Sequence, residues 1–131
     1  MALHLSIIGW ILTLLAVTHI IFPRYFDWKN ELASLSLINK EMMYVHTFFV
    51  ALVVLLMGIL CLTSAQDLIE TPLGKTISLG FSFFWFCRLC IQFLGYSKEL
   101  WLGKKFETTV HIVFSIFWTY LSVVFFLVYW S

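Results

Sequence analysis

MMYVHTFFVALVVLLMGILCLT, residues 42–63, runs for 22 residues without one Asp, Glu, Lys or Arg. A helix rises 1.5 Å per residue, so about 20 apolar residues cross a hydrocarbon core of about 30 Å. Three further segments share this character, at about 5–22, 75–96 and 106–130. Their continuous Leu, Val, Ile and Phe runs lack the short alternating segments of a β-barrel. The pattern predicts an all-α integral membrane protein: a four-transmembrane-helix bundle, up-down-up-down, with residues 1–131 as a single transmembrane domain.

Composition agrees with this reading. Of 131 residues, 62% are hydrophobic and 11% charged, against roughly 45–50% and about 25% in soluble chains. Eight Lys and Arg nearly balance seven Asp and Glu, which excludes the basic footprint of a nucleic-acid binder. The lipid bilayer is the expected partner, with a homo-oligomer or a larger membrane complex as possible assemblies. MALHLSIIGW has no basic leader, and no small-residue cleavage site follows it, so residues 5–22 are expected to be a mature first helix rather than a secretory signal.

Loop charge sets the expected topology. Arg24, Lys29, Lys40, Lys98, Lys104 and Lys105 fall in the first and third connections, and Lys75 alone in the second. The positive-inside rule then places loops one and three in the cytoplasm and both termini outside. Short loops between the spans point to a bacterial cytoplasmic (inner) membrane. Pro23 is expected to end the first helix, because its ring removes a donor. Between the first two spans, Phe26, Trp28, Leu32, Leu35 and Ile38 recur at steps of two to four residues between charges, predicting a short interfacial amphipathic helix over 26–38. Tyr25, Tyr44, Tyr96 and Trp101 are placed as an aromatic belt.

Polar residues interrupt the spans at one level. His19, His46, His111, Arg88 and Gln92 all fall in the expected cytoplasmic half, and at least one comes from every span. On the last span Glu107, His111, Ser115, Trp118 and Ser122 follow steps of four, four, three and four, marking an inward face. Phe81, Trp85, Arg88, Gln92 and Gly95 do the same on the third. Arg88 at bilayer-centre depth costs about 2.5–3.5 kcal/mol, less where it snorkels, so a partner is expected. Glu107 and Glu41 are the protein candidates, and a haem propionate or a lipid or quinone headgroup the others.

Several functions fit this cluster. The most concrete is haem b for electron transfer. His46 and His111, on spans expected to run parallel, enter at nearly equal depth as axial ligands. Trp85, Phe86 and Trp118 would supply the aromatic pocket, and Arg88 or Lys105 would meet the propionates. This geometry is similar to that of b-type cytochromes holding haem between parallel helices. A divalent metal on His19, His46, His111 and Glu107 would instead suit a lipid-modifying enzyme. A small transporter or proton relay would use His19, His46, Glu107 and Arg88. The plainest alternative is an accessory or structural subunit with no cofactor, in which each His bonds a backbone carbonyl or water and Arg88 snorkels. Cys87 and Cys90 form a CxxC, but a reactive pair needs an exposed helix N-terminus and this one lies about twelve residues into a span.

Overall fold

The computed structural model describes residues 1–131, and all of its regular secondary structure is helical. In chain order the elements are α1 (Ala2–Thr18), α2 (Phe22–Tyr25), α3 (Trp28–Glu31), α4 (Leu37–Thr63), α5 (Ala65–Glu70), α6 (Pro72–Leu94), one 3₁₀ turn at Lys98–Leu100, and α7 (Lys105–Trp130). Three of them, α4, α6 and α7, are long and apolar enough to cross a membrane, while α1 is apolar but shorter. The chain divides into two compact units, Leu3–Ala65 and Gln66–Ser131, the latter taking in Met1–Ala2.

In the Leu3–Ala65 unit, α1 buries Leu5, Ile8, Leu12 and Ala16, a stripe at three- and four-residue steps. Glycine sets the approach of α4. A Cβ at Gly58 would meet the Gly9 carbonyl oxygen and Thr13 Oγ1, each at 2.9 Å, so the two backbones touch where both side chains are absent. Thr13 Oγ1 donates back to the Gly9 carbonyl at 2.8 Å and needs no partner across the interface.

Two boundaries here differ from the sequence expectation. Helix α1 stops at Thr18, and Pro23 lies in the first turn of α2 rather than after the last turn of α1. A proline is well placed there, because the N–H it lacks would have no helical partner. Between the two helices, His19, Ile20 and Ile21 each donate to the carbonyl three residues back, at 3.2, 3.1 and 3.0 Å. The expected amphipathic helix over 26–38 is also broken. Asp27 adopts a left-handed φ of 52°, α3 lasts one turn, and Ser36 in extended backbone starts α4 at Leu37. Ser34 and Ser36 compete for backbone hydrogen bonds and favour such an interruption. Trp28 is nevertheless buried, edge-on to Tyr44 at 5.3 Å.

In the Gln66–Ser131 unit, α5 turns into α6 through Thr71. Its Oγ1 accepts from the Gly74 N–H at 2.9 Å and donates to the Asp67 carbonyl, and Pro72 opens the helix. A Cβ at Gly74 would meet the Leu68 Cα at 2.5 Å, so only glycine fits this corner. Helices α6 and α7 then form an antiparallel pair. Phe81 meets Phe125 edge-on at 5.3 Å, Ser82 Oγ donates to the Ser122 carbonyl at 2.7 Å, and Trp85 stacks on Trp118 at 5.2 Å. Large apolar side chains such as Phe83, Leu94 and Ile116 are left exposed on the outside, which is compatible with membrane insertion of these helices.

Candidate functional site

The expected inward stripes meet in the α6–α7 seam, and Gln92 joins them. Its Oε1 accepts from Arg88 Nη1 at 3.2 Å and from Trp118 Nε1 at 3.3 Å. Both partners are donors only, so they fix which end of the amide is oxygen. Gln92 Nε2 therefore donates, to His111 Nδ1 at 3.1 Å and to the His111 carbonyl at 3.4 Å. In a neutral imidazole that accepts at Nδ1, the proton sits on Nε2. Gln92, His111 and Trp118 are all buried, so this network is shielded from competing water.

Aromatic rings enclose the network. Trp101 stacks on the His111 ring at 4.3 Å and 11°, and Phe93 meets it edge-on at 5.3 Å. Thr108 Oγ1 donates to the Trp101 carbonyl and ties that loop to α7. Trp118 carries Trp85 at 5.2 Å and Phe114 at 5.4 Å, both near parallel. Trp85 Nε1 is buried without a hydrogen-bond partner, so packing of its ring decides its position. Phe86, expected in the same pocket, is 54% exposed and points elsewhere; α6 turns it about 100° away from Trp85.

Arg88 is half-buried and held by faces rather than by charge. Its Cζ lies 4.9 Å from the Trp118 ring centroid and 5.5 Å from that of Tyr96. Cation–π contacts of this kind contribute about 0.5–2 kcal/mol each. One of the five guanidinium N–H groups is engaged, by Gln92. No carboxylate belongs to this set of contacts. Glu107, expected as the partner, is exposed in the first turn of α7, where a negative charge suits the helix N-terminus instead.

The remaining candidates lie in the Leu3–Ala65 unit. His19 Nδ1 faces the Leu15 carbonyl and His46 Nδ1 the Met42 carbonyl, both at 2.8 Å. Carbonyls only accept, so each ring carries a proton on Nδ1, whereas Nδ1 of His111 accepts. His46 and Glu41 are exposed on α4, and His19 packs against Phe22 at 4.7 Å. Within neither unit do three His, Cys, Asp or Glu side chains gather into a group able to hold a metal ion. Cys87 and Cys90 are free thiols. A groove of about 540 Å³ runs along α7, lined by Phe93, His111, Ile112, Ser115, Ile116, Thr119, Tyr120 and Val123.

Tyr96 and Trp101 are expected from the sequence in the membrane-interface belt, and their contacts with Arg88 and His111 are additions of the fold. Spacing cannot reveal them, because both lie beyond the end of α6, where helical periodicity stops. Comparison with protein-family models, curated proteins and solved structures finds no match to this chain.

Proposed function

We propose that the chain is a four-span protein of a bacterial cytoplasmic membrane, with both termini outside. It acts as an accessory or structural component with no cofactor, and the α6–α7 seam is its rigid core rather than a catalytic centre. The observation that carries this reading is the Gln92 amide, whose oxygen and nitrogen are both committed to Arg88, Trp118 and His111. A network closed in this way fixes helix register and leaves the accepting nitrogen of His111 engaged by Gln92. For the fourth span, α1 supplies 17 residues, about 26 Å at 1.5 Å per residue. The three following residues in 3₁₀-type bonding add about 6 Å at 2.0 Å each. Together these match the core thickness. Lys and Arg in the first and third connections, six against one in the second, support the orientation.

The test is an oxidised and dithionite-reduced spectrum of the detergent-purified protein, with metal analysis on the same sample. A featureless visible region, no stoichiometric metal, and migration as a homo-oligomer or within a larger complex are expected. A Soret band that shifts on reduction would replace this reading with haem b.

The haem reading has one observation in its favour: His46 Nδ1 donates to a carbonyl, which directs Nε2 to ligation, the arrangement of an axial ligand. Ligation by His111 through Nε2 would require its proton to leave that atom and the Gln92 amide to turn away from Arg88 and Trp118. If haem is bound, His46→Ala and His111→Ala each abolish the Soret band, and His4→Ala leaves it.

A further inference from the structure

The Arg88 side chain runs toward the C-terminal end of α6. Its nitrogen bonds Gln92, one turn on, and its guanidinium lies by Tyr96, two turns on and just past the helix end. Long side chains near span ends extend in this way to bring a charge to the headgroup level. Trp118 and Tyr96 supply aromatic surface to the guanidinium, and Gln92 takes one N–H along its edge. The other N–H groups remain in the plane of the fork, the arrangement that receives two oxygens of one phosphate. At the same end, Lys98, Lys104 and Lys105 outnumber Glu99 and Glu107. On the face of α6 that carries Arg88, Phe84 and Ile91 are 42% and 48% exposed, one turn before and one after it.

We propose that Arg88 is the phosphate seat of an anionic phospholipid, one per chain, whose acyl chain lies along Phe84 and Ile91. The inference rests on the accessory reading above and goes beyond it by giving Arg88 a ligand. A phosphodiester brings the negative charge that Arg88 lacks among its contacts, at the depth the guanidinium reaches. The apolar face beneath explains why the ligand is a lipid rather than a free anion.

Native mass spectrometry of the detergent-solubilised full chain tests this, with titration by phosphatidylglycerol, phosphatidylcholine or inorganic phosphate. The wild type is expected to bind one phosphatidylglycerol about tenfold more tightly than phosphatidylcholine, whose phosphate is the same but whose choline cation offsets its charge beside the guanidinium. In Arg88→Gln that preference should fall to within about twofold, since the fork is gone while the loop lysines remain. Arg88→Lys, which keeps the charge without the fork, should fall between the two, and it carries the test if Arg88→Gln does not fold. An unchanged preference in Arg88→Gln, or an unchanged phosphatidylglycerol affinity in Arg88→Lys, overturns the proposal, because the guanidinium would then contribute nothing to the binding. Displacement of phosphatidylglycerol by millimolar inorganic phosphate also overturns it, as the site would then be one for a free anion. A Soret band in the purified protein would remove the reading beneath it, whereas absence of lipid preference in a colourless protein removes only this inference.

Discussion

At the scale of the residue, Gln92 is the position on which most depends. Gln92→Leu keeps the size of the side chain and deletes both functions of the amide, leaving Arg88, Trp118 and His111 without their shared partner. The expected loss is about 1–3 kcal/mol, the cost of buried polar groups left unsatisfied, measured by unfolding in detergent. A loss below about 0.5 kcal/mol, the ordinary scatter of surface substitutions, would mean that water replaces the amide and that the network does not fix register. The residue pattern made Gln92 and His111 visible as members of one inward level. It could not order their hydrogen bonds, since the tautomer of His111 follows from what Arg88 and Trp118 do at the far side of the same amide.

At the scale of the element, the glycines separate contact from mere permissiveness. Gly80 is in the interior of α6, and a Cβ placed there would have nothing within 4 Å, whereas Gly74 lies against the backbone of Leu68. Gly80→Ala should therefore stabilise by about 0.5–1 kcal/mol through helix propensity alone. Gly74→Ala should destabilise clearly, because the neighbour it would strike is main chain of α5 and cannot turn aside. Thermal unfolding of the two variants side by side checks this, and equal effects would mean that the α5–α6 corner is not fixed by this contact. Gly58→Ala should likewise loosen α1 from α4, where its methyl would meet the Gly9 carbonyl and Thr13 Oγ1. Element boundaries were the weaker part of the sequence reading for a related reason. Hydropathy marks where a helix enters an apolar environment, and the helix itself extends on: α4 begins at Leu37 although its uncharged run begins at Met42.

At the scale of the whole molecule, topology is open to direct measurement. In a cysteine-free background, Gln66→Cys should react with an impermeant maleimide added outside intact cells, while Asn30→Cys and Glu99→Cys should react only after lysis. A reporter fused at the N-terminus then decides α1: placed outside, it makes α1 the fourth span, and on the same side as residue 30 it leaves three. The long apolar helices α4, α6 and α7 carry their own signal, because a helix in lipid satisfies its backbone internally and needs only length and apolarity.

The sequence by itself determined an all-helical chain with long apolar segments, of which it counted four as spans where three helices are long and apolar enough to cross a membrane, and that Gln92, Trp118 and His111 belong to inward faces, because these follow from hydropathy and a 3.6-residue period. Only the tertiary structure decided that Arg88 rests on Trp118 and Tyr96 instead of pairing with Glu107, that Trp101 folds back over His111, and that Nδ1 of His111 accepts a hydrogen bond where Nδ1 of His19 and of His46 donates. Those facts depend on the azimuth at which two helices dock and on where a loop returns, and neither is encoded in the spacing along a single helix.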